Sequence, residues 1–246
     1  MKWIEGSVAE NISWTENLFS LKVDAPLDKF TAGQFTSLGL DIDGERVARP
    51  YSFLSSPGQK PLEFFLYTAI GGKLSNALIK LAPGDRVWVR DRANGFFVLD
   101  EVPDARDLWM LGSGTGVAPF LSILNTAEAW ERFTNIVLVY AVRHACDLRY
   151  QEVIEALGEK YGERFRFQRF VSREQVPDTM HGRIPATIEN GSLEQAVRLE
   201  LEPAHSQIML CGNPDMVKDV TTVLQTRGFE KNRRRTPGHI TVENYW

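Results

Sequence analysis

The sequence predicts two domains, an antiparallel β-barrel followed by an α/β domain built on a parallel sheet. Over residues 1–101, short strand-like runs are closely spaced and separated by turn residues, the pattern of an antiparallel barrel. Over residues 102–246, strand-like and helix-like runs alternate, which requires parallel strands with helices packed on both faces. Between the patterns lies Asp100-Glu101-Val102-Pro103-Asp104, a polar stretch that reads as a linker.

In the first part, Val8 and Ile12 lead into Leu18-Phe19-Ser20-Leu21-Lys22-Val23, which alternates like a half-buried strand and stops at Pro26. Gly33 to Leu38, Leu62 to Tyr67 and Arg86 to Val89 are further strands, and Asp43-Gly44 and Pro83-Gly84-Asp85 are turns. One helix, Ala77 to Leu81, interrupts them after Gly71-Gly72-Lys73-Leu74-Ser75-Asn76. In the second part, Leu108 to Leu111 is a buried strand that runs into the glycine loop Gly112-Ser113-Gly114-Thr115-Gly116-Val117-Ala118-Pro119. Pro119 to Trp130 reads as one helix with proline near its start. Ile136 to Val142, Phe165 to Val171 and Gln207 to Cys211 are strands, while Tyr150, Val153, Ile154 and Leu157 fall on one helical face. Asn213 is an N-cap and Pro214 a first helical residue, for a helix whose apolar face carries Met216, Val217, Val220 and Leu224.

The 246 residues suit two cores, with 43% hydrophobic and 24% charged residues. A net charge of -4 argues against a nucleic-acid partner. Cys146 and Cys211 are too few and too far apart for a disulfide framework, a zinc site or an iron–sulfur cluster. The first residues carry no signal-peptide core and no apolar run is long enough to span a membrane. A cytoplasmic protein without a membrane partner is expected.

Arg49-Pro50-Tyr51-Ser52 places a cation, a ring and a hydroxyl in one extended segment. Arg49 and Tyr51 then share a side. That suits a ligand with an anionic part beside a flat ring: a guanidinium forks onto a diphosphate, a tyrosine stacks, a serine hydrogen-bonds. The same residues also suit an edge strand with a surface arginine and a half-buried tyrosine. Gly71-Gly72-Lys73 before a helix start is a natural phosphate cradle, and equally an ordinary turn before a core helix. In open parallel sheets ligands bind beyond the carboxyl ends of the strands. Gly112 to Pro119, Ser172-Arg173 and Cys211-Gly212-Asn213-Pro214 all stand at such ends. The glycines at 112, 114 and 116 fall at alternate positions and do not form the usual dinucleotide fingerprint. His144, His181, His205 and His239 lack metal-ligand spacing, and no metal is expected.

Taken together and in order, Arg49-Pro50-Tyr51-Ser52, Gly72-Lys73-Leu74-Ser75, the Gly112 to Pro119 loop and Cys211-Gly212-Asn213-Pro214-Asp215-Met216 resemble the ferredoxin–NADP reductase superfamily. The ending Val242-Glu243-Asn244-Tyr245-Trp246 resembles its short bacterial ferredoxin/flavodoxin–NADP reductases. The likeness covers essentially the whole chain. It implies an FAD-binding barrel over residues 1–101 and an NADP(H)-binding α/β domain over 102–246. By that resemblance Arg49 binds the FAD diphosphate, Tyr51 stacks on the flavin, and Ser52 sits at flavin N5, with Pro50 at a variable position. Lys73, Leu74 and Ser75 form the diphosphate-binding helix start. Thr115 lies next to flavin and nicotinamide, and Cys211 beside the nicotinamide carbon. Tyr245 covers the other flavin face as a gate, and Trp246, an extra residue that many relatives lack, packs on the adenine. Which terminal ring takes which partner stays open.

For NADP(H) the implied set is Val142, Arg143, Ser172, Arg173, Arg183, Asn213, Pro214 and Asp215. Its cations suit a 2′-phosphate, and no acidic residue is expected after Val171 to grip a free ribose. Glu243 is a candidate proton donor to the reduced flavin or an exposed terminal carboxylate, and Cys211 a positioning thiol or a buried structural one. The reading is an FAD enzyme that passes electrons between NADPH and a one-electron carrier, ferredoxin or flavodoxin. The carrier would dock at Lys231, Arg233, Arg234 and Arg235 on a monomer. A flavin reductase component of an oxygenase or cytochrome reductase shares these motifs, and a flavin-binding relay subunit is the non-enzymatic alternative.

Overall fold

The computed structural model describes residues 2–27 and 29–244, so the expectations for Tyr245 and Trp246 lie outside the described residues. Strands β1 (Trp3–Ser13), β2 (Leu18–Asp24), β3 (Phe35–Ile42), β4 (Glu45–Ser52), β5 (Leu62–Tyr67) and β6 (Arg86–Arg90) form one antiparallel sheet in the order β4-β3-β6-β1-β2-β5. The sheet curls into a barrel: Phe53 bridges to Phe64 and the Leu54 N–H donates to the Glu63 carbonyl at 2.8 Å, joining the exit of β4 to β5. Alternation drives this closure, because Phe19, Leu21 and Val23 of β2 all point into a core shared with Leu38, Phe53, Phe64, Val87 and Val89. The one α-helix among the described residues of this half, α1 (Lys73–Leu78), lies against β3 and β4.

The second sheet is parallel, in the order β10-β9-β8-β7-β11-β12. Its strands are β7 (Asp107–Ser113), β8 (Asn135–Val142), β9 (Phe165–Val171), β10 (Met180–His181), β11 (Ser206–Gly212) and β12 (Ile240–Asn244). The helices are α2 (Ala118–Leu124), α3 (Glu128–Arg132), α4 (Gln151–Tyr161), α5 (Ile184–Glu189), α6 (Ser192–Val197) and α7 (Pro214–Thr226). α2, α3 and α4 cover the sheet face that meets the barrel, and α5, α6 and α7 cover the other. The central strands are buried on both faces, which is why they read as continuous apolar runs.

The two halves share a core. Leu18, Leu54, Phe65 and Phe97 of the barrel pack with Phe120, Leu121 and Ile123 of α2. Asp100 to Asp104 is therefore no loose linker. Leu99–Glu101 is a 3₁₀ turn, Leu99 and Val102 are buried, and Arg132 donates to both of their carbonyls at 2.7 Å. The charged residues that suggest a linker form only its outer side.

The single helix expected from Pro119 to Trp130 is two, broken at residues 125–127. Side chains add donors to the last carbonyls of α2: Asn125 Nδ2 donates to Leu121 O at 2.9 Å and Thr126 Oγ1 to Ile123 O at 2.7 Å, beside the backbone N–H groups of the same two residues, and Trp130 Nε1 donates to Leu124 O at 2.8 Å. On α4, Ile154 and Leu157 are buried but Val153 is exposed, and Tyr150 is the residue before the helix, with φ +62°. Asn213 caps α7 as expected, its Oδ1 accepting from Asp215 N at 2.9 Å and Met216 N at 3.4 Å.

Candidate active site between barrel and sheet

β4 carries Arg49, Tyr51 and Ser52 at its carboxyl end. Arg49 faces outward, its guanidinium donating to the Ala48 carbonyl at 2.7 Å. It shares a side with Tyr51, as expected: the Tyr51 hydroxyl is pushed up to about 12 by burial, opposed by the nearby Arg49 charge. Ser52 turns the other way and is buried.

Beside this strand stands α1. Its N-cap is Gly72 and no side chain caps it, so its first-turn N–H groups remain available donors. Ser75 Oγ accepts from the Ala69 N–H at 3.0 Å and holds the preceding turn, while Lys73 is exposed and pairs loosely with Asp43 at 3.5 Å. The far end of α1 is fixed by a residue the sequence did not point to. Asn11 on β1 donates from Nδ2 to the carbonyls of Leu78, Ile79 and Leu81 at 3.1, 3.2 and 2.8 Å. Nothing local in the sequence marks Asn11, since its targets lie 67 to 70 positions away.

The carboxyl ends of β7 and β11 close on each other. A Cβ on Gly116 would come within 2.6 Å of the Cys211 carbonyl, and one on Gly212 within 2.6 Å of the Ser113 carbonyl. Ser113 Oγ accepts from the Asn213 N–H at 3.0 Å across the same junction. The alternating glycines thus serve backbone contact between two strand ends, with half-buried Thr115 at the rim. Cys211 is fully buried in the core that the two halves share. In register it lies between Gly112 on β7 and Glu243 on β12.

Glu243 completes the meeting. Its Oε2 accepts from Ser52 Oγ at 3.3 Å, so the last described strand touches the barrel at the Arg49-to-Ser52 segment. Burial raises its carboxyl to about 7, with the Ser52 hydrogen bond pulling the other way. It is not the exposed terminal carboxylate of the alternative reading. Gly95, at φ +107°, forms the third wall, since a Cβ there would sit 3.1 Å from the Phe35 ring and 3.6 Å from Glu243 Oε1. The Asn94-Gly95 turn pair was the available signal for it.

Beyond β8 and β9, two of the expected cations, Arg143 and Arg173, stand side by side at neighbouring strand ends. Arg173 N donates to the Arg143 carbonyl at 3.0 Å and Ser172 N to the Val142 carbonyl at 3.1 Å, with both arginines exposed. Arg183 is exposed and only loosely paired with Asp219, at 3.9 Å. An acidic residue does follow this strand: Glu174 comes directly after Arg173. Its carboxylate is engaged by the Ala145 N–H at 2.6 Å and lies 3.6 Å from His144. Asn213, Pro214 and Asp215 stand beyond the β11 end, at the start of α7, the helix whose Asp219 meets Arg183.

Comparison with known proteins agrees with this division. Residues 6–93 match the oxidoreductase FAD-binding domain and residues 110–222 the oxidoreductase NAD-binding domain. The chain is 51% identical over 245 residues to the flavodoxin/ferredoxin–NADP reductase of Escherichia coli (strain K12), covering 99% of each chain. It belongs to the ferredoxin–NADP reductase family. The Shigella flexneri flavodoxin/ferredoxin–NADP reductase is 51% identical with the same coverage. Among solved structures, a Neisseria gonorrhoeae ferredoxin NADP+ reductase with bound FAD and NADP is similar, with a TM-score of 0.94, 34% identity and 99% of each chain covered. The chain is accordingly an oxidoreductase with an FAD-binding barrel and a nicotinamide-nucleotide-binding α/β domain. No helix among the described residues is long and apolar enough to cross a membrane, and none of their side chains cluster as a metal site.

The side chains fit both nucleotides. A diphosphate needs an unneutralised guanidinium and free N–H donors, which exposed Arg49 and uncapped α1 provide on adjoining elements. A second polyanion is suited by Arg143 and Arg173, tied together through their backbones.

Proposed function

We propose that this enzyme moves electrons between NADPH and a one-electron carrier, ferredoxin or flavodoxin, using FAD. The observation that carries the reading is the convergence of Ser52, Glu243 and the paired glycine loops at the junction of the domains. Bound FAD supplies the conversion of a two-electron hydride into single electrons. The chain's part is positioning, because hydride transfer needs two rings held face to face near contact. Arg49 and the Lys73, Leu74 and Ser75 N–H groups would hold the diphosphate, and Tyr51 would stack on the ring. Ser52 presents Oγ to a ring nitrogen. Glu243, whose carboxylate accepts from Ser52 Oγ, would take up through that hydroxyl the proton released when the carrier withdraws electrons, and return it in the reverse direction. Thr115 and Cys211 would shape the floor under the nicotinamide, the buried thiol acting as a small spacer. Tyr245 and Trp246 are proposed as the ring lid and the adenine contact.

Val142, Arg143, Ser172, Arg173 and Arg183 are proposed to take the 2′-phosphate end of NADPH, and Asn213, Pro214 and Asp215 the nicotinamide side. The domains divide at 101/102, the enzyme works as a monomer, and it resides in the cytoplasm, where the thiols of Cys146 and Cys211 stay reduced. Arg233, Arg235, Lys231 and Arg234 form the docking surface for an acidic carrier. Relatives named flavodoxin/ferredoxin–NADP reductase, 51% identical over nearly the whole chain, support the choice of carrier.

Stopped-flow mixing tests the reading. NADPH should bleach the flavin rapidly, and ferredoxin or flavodoxin should then restore its colour. A flavin that NADPH leaves oxidised would refute it and favour a relay subunit. Reduction without carrier turnover would favour an oxygenase or cytochrome reductase component.

A further inference from the structure

A second polar junction between the halves lies away from the Ser52–Glu243 contact. Tyr150, at the end of the segment that follows β8, packs on the outer face of the barrel over β2 and β5. Its ring packs edge-on against Phe65 at 5.1 Å and against Trp14 at 6.0 Å. Its hydroxyl donates to Glu63 Oε1 at 2.8 Å and is also bonded to Ser20 Oγ, which in turn accepts from Trp14 Nε1 at 2.7 Å. The donors thus run one way, from Trp14 through Ser20 and Tyr150 to the carboxylate, an arrangement in which each bond strengthens the next. Ser20 and Glu63 are buried, so loss of the Tyr150 hydroxyl would leave their polar atoms with one partner fewer.

The backbone shows what this contact holds. Tyr150 sits at φ +62°, a left-handed conformation costly for a residue with a large side chain. Such a conformation persists where the surroundings over-determine it. Residues 143–150 are also held at their middle, where buried Tyr140 donates from its hydroxyl to the Asp147 carbonyl at 3.1 Å. At their start, the Arg143 carbonyl accepts from Arg173 N. Arg149, next to the clasp, places its guanidinium 5.4 Å over the Trp14 ring. One short segment therefore carries a phosphate-binding arginine at one end and a barrel anchor at the other.

We propose that Tyr150 is a positioning residue. By fastening segment 143–150 to the outer face of the barrel at Ser20 and Glu63, it fixes where the nucleotide-binding edge of the sheet stands relative to the Ser52 face. The proposal rests on the NADPH reading above, and its test separates the two. The variant is Tyr150→Phe, which keeps the ring packing and removes the hydroxyl.

In the FAD-loaded protein, amide hydrogen exchange should rise over residues 143–150 and at Ser172 and Arg173, while β2 and β5 stay protected. Flavin reduction at saturating NADPH should slow by about tenfold, with the NADPH dissociation constant little changed, because small misplacements of reacting groups cost rate steeply. Ser20→Ala should produce the same two effects, and the double variant should be little worse than either single one. Should Tyr150→Phe fail to fold, Ser20→Ala alone decides. Unchanged exchange and an unchanged saturating rate would overturn the proposal. So would a defect confined to NADPH affinity, which would make Tyr150 a binding residue. If wild-type flavin is not reduced by NADPH at all, the functional reading has failed, and the exchange result alone then judges the clasp.

Discussion

Ser52, the last residue of a barrel strand, donates its hydroxyl to Glu243 on the final described strand of the other domain, 3.3 Å away. The contact joins residues 191 positions apart and makes the site a product of both domains. Burial holds the Glu243 carboxyl near 7, well above its ordinary 4.5. The folded protein therefore binds this proton more tightly than the unfolded chain. Its contribution to stability is complete below about 4.5 and is lost as pH rises toward about 7. Glu243→Gln should remove that slope from the denaturation midpoint across this window. In turnover it should abolish the pH dependence near 7, leaving a lower, flat rate. A pH profile with the wild-type inflection retained would take the proton role away from Glu243.

Arg49 is exposed on β4, the strand that α1 packs against, so removing it should delete one charge-assisted diphosphate contact. The loss should be about 1.5–3 kcal/mol of FAD binding, which is roughly ten- to a hundredfold in dissociation constant. Equilibrium dialysis of Arg49→Ala against free FAD measures it. Asn11→Ala should also weaken FAD binding, through a frayed α1, while leaving the reduction rate of whatever flavin remains bound unchanged.

Gly116 and Gly212 are where strand ends touch backbone to backbone. Alanine at Gly116 must push β7 and β11 apart at their carboxyl ends, at a cost of about 1–3 kcal/mol. The variant should keep its yellow colour, because the barrel is untouched, yet melt earlier and reduce its flavin slowly with NADPH. Equal thermal midpoints for variant and wild type would show that the loop tolerates the extra carbon.

These cases show why some of the site was legible in the sequence and some was not. Arg49, Tyr51 and Ser52 could be read because a strand's period fixes which side chains share a face. The Asn213 cap could be read because its bonds close within three residues. The break in the helix after Pro119 could not, since Asn125 and Thr126 act through side-chain bonds that interrupt an apolar pattern without changing its composition. Asp100 to Asp104 reads as a linker because its charges are local, whereas the core that buries Leu99 and Val102 is assembled from distant residues. Asn11, Tyr150 and Gly95 act on groups brought close only by the finished fold.

Arg173→Ala tests the choice between NADPH and NADH. Arg173 and Arg143 stand exposed at neighbouring strand ends, and the carboxylate directly after Arg173, that of Glu174, is engaged by Ala145 and His144. That leaves a cationic edge suited to a 2′-phosphate. The variant should lose kcat/KM for NADPH by about tenfold or more, the scale of one hydrogen bond to a charged group. Its use of NADH should be unaffected. An equal loss with both nucleotides would place Arg173 elsewhere in binding.

The basic run near the end of the chain is not uniform. Arg234 pairs with Glu101 at 3.2 Å and lies 4.0 Å over the Phe96 ring, so it helps fasten the terminal turn to the barrel. Arg233 and Arg235 are exposed on that turn, and Lys231 precedes it, close in sequence to the strand that bears Glu243. An acidic carrier would be steered by these outer charges, and its encounter rate would depend on salt. Arg233→Glu with Arg235→Glu should slow carrier reduction most at low ionic strength, where screening is least. Flavin reduction by NADPH should stay nearly unchanged. Arg234→Glu should behave differently, because it sets two carboxylates against each other and lowers thermal stability as well. If the double reversal leaves both the carrier rate and its salt dependence intact, the carrier docks on another face.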